Sequence, residues 1–407
     1  MANERRYLTA QQAADALGVT RPTLYAYTSR GQLQSAPMPG RPRERRYYRE
    51  DIERLRARKE ARRDPDQAAA RGLNWGPPVL ASGITLIHNG KLYYRGRDVW
   101  ELAEKASLEQ VAELLWGAEG ADRERLFEQP CPLPSRQLAR LRPCAGDTLT
   151  LLQMALPPAG AGDPASYDLR PGAVRQTGAR IVRLLTAIAA GRDSRAPVHL
   201  ALQAAWAPKK ALVGEAIRTA LVVCADHELN VSAFTARCAA SAGASPYDVV
   251  SAALATLKGR RHGGETERVA ALFREAGSPQ RARAVVAGRL RRGERVPGFG
   301  HPLYPAGDPR AARLLRLAEA SGNEAAWRLV RALRKAGWEL LHDLPNLDFG
   351  LAALARAYGL PGRAPLVLFA LGRTVGWIAH AIEQYATGEL IRPRARYTGP
   401  DPAAKPQ

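Results

Sequence analysis

Two histidines and one aspartate, each set in glycine-rich punctuation, are the residues whose types and spacing could do chemistry in this chain. His301 stands in Val296-Pro297-Gly298-Phe299-Gly300-His301-Pro302-Leu303-Tyr304-Pro305-Ala306-Gly307-Asp308-Pro309-Arg310. Three glycines and four prolines there cannot sustain a helix or a central strand, so the stretch is a shaped loop. The glycines around His301 let backbone approach a ligand closely. Asp308-Pro309-Arg310 reads as a helix start, with Asp308 as cap and Pro309 in the first turn. A neutral imidazole beside a forked cation suits a carbonyl next to a carboxylate: the first polarises, the second holds. His262 lies in Leu257-Lys258-Gly259-Arg260-Arg261-His262-Gly263-Gly264-Glu265-Thr266-Glu267, and Asp348 in Pro345-Asn346-Leu347-Asp348-Phe349-Gly350, an apolar turn ahead of an apolar helix. Any one of these histidines alone is explained by ordinary packing. Two histidines and an aspartate together are the parts needed to enolise a thioester and add it to a carbonyl.

With these blocks in order, and with Gly83-Ile84-Thr85, Tyr94-Arg95-Gly96-Arg97-Asp98, Asp226-His227-Glu228-Leu229-Asn230-Val231-Ser232 and Arg373-Thr374-Val375-Gly376-Trp377-Ile378-Ala379-His380, the chain resembles the citrate synthase family from about Ser82 to Pro400. That resemblance implies two helical lobes, a site in the cleft between them and an obligate homodimer. It implies Asp348 as the base that takes a methyl proton from acetyl-CoA, His262 as donor to the enolate oxygen, and His301 as donor to the oxaloacetate carbonyl. It further implies that Arg310 and Arg373 hold oxaloacetate carboxylates, that Arg392, in Ile391-Arg392-Pro393-Arg394, reaches across the dimer interface, and that His227 binds substrate. A buried dianion demands such paired, forked cations. His88 and His380 fit packing as well as chemistry. No metal or resident cofactor is called for; acyl-CoA is a co-substrate.

Two departures concern the acyl-CoA side. His301 is followed by Pro302-Leu303, where many family members have a basic or small residue and then Val. Gly263-Gly264-Glu265-Thr266-Glu267 replaces the more usual Gly-Gly-Ala-Asn-Glu. Arg260, Arg261, Arg291, Arg292 and Arg295 are candidates for the coenzyme's phosphates, with no choice among them. Acetyl-CoA and propionyl-CoA, the latter giving 2-methylcitrate, both stay open.

The elements that must position these residues are mainly α-helical. Apolar positions recur at helical spacing over Ser107 to Leu115, Ala179 to Ala190, Gly214 to Val223, Ser232 to Ala242 and Val249 to Leu257. Ile84 to Tyr94 alternates around Asn89-Gly90, the signature of a tight β-hairpin. The interval from Gln129 to Arg175 is Pro- and Gly-interrupted. The expected division is a large domain over 80–261 and 350–400, a small domain over 262–349, and a tail over 401–407.

Residues 1–63 read differently. Tyr7-Leu8-Thr9 opens a short helical pattern with Thr9 as cap; Gly18 turns the chain; Thr20 caps a second helix with Pro22 in its first turn. That helix carries Arg21, Thr23, Tyr25, Thr28 and Arg30, groups suited to a duplex groove. Arg41-Pro42-Arg43-Glu44-Arg45-Arg46-Tyr47-Tyr48 follows as a basic wing, and an amphipathic segment runs from Arg49 to about Arg63. Leu24-Tyr25-Ala26-Tyr27 and Arg46-Tyr47-Tyr48-Arg49-Glu50-Asp51-Ile52 resemble the winged helix-turn-helix of the MerR and excisionase type, which implies duplex DNA as a partner. Residues 64–79 read as a linker.

Of the formal charge of +21, residues 1–63 hold +8, from 15 Lys/Arg against 7 Asp/Glu; the other residues hold +13, from 45 against 32. The excess favours an anionic ligand or nucleic acid. Cys131, Cys144, Cys224 and Cys238 show no CxxC pair and read as free, buried or half-buried thiols. No apolar run approaches the roughly 20 residues of a membrane span, and the first residues lack a signal-like apolar region, so the expected location is the cytoplasm. Two function classes follow: an acyl-CoA condensing enzyme with an appended DNA-binding head, or a transcriptional regulator sensing these metabolites through a retained synthase fold.

Overall fold

The structure, a computed structural model, describes residues 7–38, 41–49, 51–53, 55–56, 80–118, 126–210, 212–395 and 397–400. The expected linker over 64–79 and the tail over 401–407 lie outside the described residues.

The head is a three-stranded antiparallel sheet with two helices. β1 (Tyr7–Thr9) and β2 (Ser35–Met38) flank β3 (Arg41–Tyr48), with Leu8 opposite Tyr47 and Ala36 opposite Arg46. α1 (Ala10–Leu17) and α2 (Arg21–Ser29) lie between β1 and β2 in the chain. Thr9 caps α1 in a reciprocal box with Gln12, Gly18 closes it at φ 59°, and Thr20 caps α2 ahead of Pro22. Tyr7 to Thr9 is thus a strand, not the first turn of a helix: an N-cap needs extended backbone, and the extended residues before it pair with β3. Leu8, Ala13, Ala14, Leu17, Leu24, Leu33, Tyr47 and Ile52 make a core of their own. Of the amphipathic segment expected from Arg49 to about Arg63, residues 49, 51–53 and 55–56 are described and helical.

The second unit opens with β4 (Thr85–His88) and β5 (Lys91–Tyr94), joined by Asn89 at φ 53° and Gly90 at φ 71°. Both values are left-handed, as a type I′ hairpin requires. β6 (Arg97–Asp98) adds a third strand. Helices follow: α3 (Val99–Lys105), α4 (Leu108–Trp116), α5 (Ser135–Leu141), α6 (Thr148–Ala161), α7 (Pro171–Ala190), α8 (Val198–Trp206), α9 (Leu212–Cys224), α10 (Val231–Ser241), α11 (Pro246–Leu257), α12 (Gly264–Ala276), α13 (Ala282–Arg291), α14 (Pro309–Ala320), α15 (Glu324–Leu341), α16 (Leu347–Tyr358) and α17 (Ala364–Thr387). α6 keeps its helix through Pro157 and Pro158, inside the interval that reads as interrupted.

α17 is the axis. It packs on α4, α7, α9, α10 and α11. It is long and apolar enough to pass as a membrane span, but its most apolar 18 residues are wholly buried in the protein core, as befits a central helix. Gly372 and Gly376 let it press onto the end of α9: a Cβ on Gly372 would lie 2.6 Å from the Leu221 carbonyl oxygen, and one on Gly376 would collide with that of Ala225. α14 packs on α16, α13 on α15, and α12 on α16. One contiguous apolar core joins Ile84 to Ile382, crossing the expected lobe boundary at 349/350, which falls inside α16. Cys224 is buried and Cys131 and Cys238 half-buried, whereas Cys144 is exposed, contrary to expectation.

Candidate active site

The His301 loop and the turn before Asp348 form one hydrogen-bonded unit. Gly300 N–H donates to the Leu344 carbonyl and Asn346 N–H to that of Gly298, each at 2.9 Å, around a bridge between Phe299 and Pro345. Asn346 Nδ2 donates to the Gly300 carbonyl at 3.3 Å, while its Oδ1 caps α16 by accepting from the amides of Asp348 and Phe349. Gly298 has φ 89° and sits where a Cβ would lie 2.9 Å from Val269 Cγ2, so only glycine fits.

His301 accepts at Nδ1 from the Leu303 amide, 3.2 Å away. Its neutral ring therefore carries the proton on Nε2. Burial, aided by the Arg310 charge, lowers its pKa to about 4, so it is neutral near pH 7. His227 lies on the connection between α9 and α10, edge-on to His301 with ring centroids 5.1 Å apart, and its Nε2 is 2.9 Å from the Tyr304 hydroxyl. Burial first, then Arg310, holds it well below the ordinary histidine value.

His262 precedes α12. Its Nε2 is 2.8 Å from Ser232 Oγ, which accepts from Trp377 Nε1–H at 3.1 Å and lies 2.8 Å from Asn230 Oδ1. Ser232 has one proton and two acceptors for it. When that proton goes to His262 Nε2, the ring proton stands on Nδ1. Burial, then the Arg373 charge, lowers the His262 pKa to about 3.

Asp348 is half-buried in the first turn of α16 rather than in the turn ahead of the helix. Thr266 Oγ donates to its Oδ1, and Oδ2 carries no hydrogen bond among the described residues. Burial pushes its carboxyl up to about 6; the Thr266 bond works against this and the neighbouring Glu265 carboxylate adds to it. A base of that strength is ionised at neutral pH yet holds a proton better than an ordinary aspartate.

Arg310 and Arg373 are buried, at 5% and 1% exposure. Asp308 grips the Arg310 Nε and Nη2 at 3.0 and 2.8 Å, leaving Nη1 without a hydrogen bond among the described residues. Arg373 Nε donates to the Cys224 carbonyl at 2.8 Å; its two Nη groups carry no hydrogen bond, and no carboxylate pairs with it, among the described residues. Both charges press on His227. Burying two guanidiniums with unengaged N–H groups leaves a strong demand for an anion.

Arg392 is not brought to this site. It is exposed, on the irregular segment after α17. His88 sits beside Asn89 in the hairpin turn, with Nε2 2.9 Å from Asn89 Nδ2. His380 is fully buried, 3.2 Å from Asp226. Among the five candidate phosphate ligands, Arg292 pairs with Glu294 and Arg295 stands 3.8 Å from Glu265. Sequence reasoning assigned no role to Tyr304, Ser232, Thr266 or Glu265. Each lies within a block already singled out, but only contact with a histidine, a base or the loop reveals its part.

A helical chain that gathers neutral histidines, a strengthened carboxylate base and two buried cations at one site belongs with enzymes doing acid–base chemistry on small anions. The family model for citrate synthase, C-terminal domain, matches residues 72–394, and that for a helix-turn-helix domain matches residues 7–60. Citrate synthase 2 of Bacillus subtilis is 30% identical over 360 residues, covering 82% of this chain and 96% of that protein. The 2-methylcitrate synthase of Mycobacterium tuberculosis is 32% identical over 339 residues, covering 76% and 84%. The crystal structure of citrate synthase from Thermotoga maritima superposes with a TM-score of 0.69 at 26% identity, covering 81% and 96%. The chain belongs to the citrate synthase family and carries an N-terminal helix-turn-helix domain.

Proposed function

We propose that the protein condenses acetyl-CoA with oxaloacetate to give citrate and CoA, in the cytoplasm and as a homodimer. Asp348 takes a methyl proton from the thioester while His262 Nδ1–H hydrogen-bonds the thioester oxygen, giving an enolate. His301 Nε2–H donates to the keto oxygen of oxaloacetate, the enolate carbon bonds to the keto carbon as the thioester carbonyl re-forms, and the new alkoxide takes the proton of His301, which the proton held by Asp348 replaces through solvent. Water then adds to the thioester of the citryl-CoA and the CoA thiolate leaves. Arg310 and Arg373, with Arg392 of the other subunit and His227, hold the carboxylates. The observation that carries this reading is the pair of buried guanidiniums with unengaged N–H groups beside neutral histidines. Such a pocket is built for a small dianion with a carbonyl to polarise. Purified protein supplied with acetyl-CoA and oxaloacetate should release CoA and form citrate; no release with acetyl-CoA or propionyl-CoA would refute it.

Propionyl-CoA is the second candidate acyl donor, favoured by the likeness to a 2-methylcitrate synthase. The ratio of kcat/KM for the two thioesters decides between them. The head supports a DNA-reading role beside catalysis: α2 exposes Arg21 and Tyr25, with Arg30 exposed at its C-cap, and buries Leu24 against its own core. A regulator with no catalysis is the competing reading, and the CoA-release assay separates the two.

A further inference from the structure

Glu265 and Thr266 are adjacent in the first turn of α12 and hold different parts of the site. Thr266 Oγ donates to Asp348 Oδ1, whereas Glu265 Oε1 accepts from the Gly298 amide at 3.3 Å, three residues before His301. Glu265 is 7% exposed, an unusual place for a carboxylate. Its cations are peripheral: Arg268 Nη1 at 3.4 Å and Arg295 Nη2 at 3.8 Å, with side chains 43% and 66% exposed. Solvent screens both arginines, so they offset the buried charge incompletely. The next acid, Glu267, faces away to Arg363 at 3.3 Å. We propose that Glu265 is a positioning residue for the condensation: it ties the His301 loop to the turn that grips Asp348, and its negative charge makes Asp348 a stronger base.

The inference rests on the role of Asp348 given above and adds a residue to it. A carboxylate buried near a second one disfavours ionisation of that neighbour. The other groups acting on Asp348 are Thr266 and Arg310, which favour its ionised form, and Asp308, which opposes it. Arg310 and Asp308 are bound to each other, so their effects partly cancel. Glu265 is therefore the acid whose charge reaches Asp348 without a buried cation of its own.

Glu265→Gln keeps an acceptor for the Gly298 amide and removes the charge. The acid limb of its kcat–pH profile should move down by about half a pH unit or more, with the oxaloacetate KM within about twofold of wild type. Glu265→Ala should also raise that KM, because the His301 loop loses its tether. Arg268→Gln strips a cation from Glu265 and should move the limb the other way, which keeps the test open if Glu265→Gln does not fold. A ¹³C NMR titration of the Asp348 carboxyl reads the same shifts without turnover. If the wild type releases no CoA, the proposed reaction fails while this titration still decides the coupling. An Asp348 titration unmoved by Glu265→Gln, or by Arg268→Gln if that variant alone folds, overturns the inference.

Discussion

The Leu347 amide donates to Asp308 Oδ2 at 3.0 Å, and the same oxygen accepts from Arg310 Nη2 at 2.8 Å. One buried carboxylate thus aims the Arg310 guanidinium and pins the first residue of the helix that carries Asp348. Replacing Asp308 with Ala should cost about 3–5 kcal/mol of stability, because it leaves Arg310 buried and unpaired. Denaturant unfolding measures the loss, and oxaloacetate KM should rise in any variant that survives. A change under about 1 kcal/mol would contradict the pairing.

Asp348→Asn keeps shape but cannot accept the methyl proton. Condensation should be abolished while the protein still folds and binds oxaloacetate, so the loss falls on kcat. Isothermal titration with oxaloacetate and a CoA-release assay check the two halves. Activity within about tenfold of wild type, roughly 1.4 kcal/mol, would remove Asp348 from its role.

The kcat–pH profile should rise through about pH 6, where Asp348 loses its proton. His301 and His262, with values near 4 and 3, are already neutral there and set no limb. Stability follows these groups with mixed sign. The depressed histidines contribute stability at neutral pH that is lost as pH falls. Asp226 and Asp308, which despite burial their cationic neighbours hold low, act in the same direction. Asp348, raised in the fold, contributes the opposite way, its share being lost as pH rises through about 6. With the depressed groups in the majority, melting temperature should fall between pH 7 and pH 4.5; calorimetry checks it.

If Arg392 completes a partner's site, mixing Arg392→Ala and Asp348→Asn protomers should restore activity. Half of randomly paired dimers regain one of two sites, giving up to about a quarter of wild-type activity. Subunit exchange verified by mass spectrometry, without recovery, would count against the cross-subunit role.

In the head, binding to a cognate duplex should weaken steeply with salt as phosphate contacts release counterions. Arg46 stacks on the Tyr7 ring at 3.9 Å and Arg45 Nε donates to Ser35 Oγ at 2.8 Å, so these two also brace the sheet. Substituting Arg43, Arg45 and Arg46 together should flatten the salt slope by about one unit per lost contact, with CoA release little changed. Gel shifts at two salt concentrations against the protein's own upstream region and random DNA test this; equal affinity for both would end the DNA-reading role.

Local chemistry in the sequence determined the turns and caps: Asn89-Gly90 made the hairpin, Thr9 and Thr20 capped their helices, and Asp308 started α14. These depend on neighbours in the chain, so they are legible there. The residues nominated for chemistry stood out for a related reason, since glycine and proline mark backbone that must be shaped. Tertiary structure alone decided the partners. That Ser232 meets His262 across 30 positions, Thr266 meets Asp348 across 82, and Arg373 meets the Cys224 carbonyl across 149 follows from how α17 and α16 pack. Burial decided the rest: the same packing removes water from three histidines and one carboxyl, and that desolvation sets their charge states. No residue type carries that information by itself.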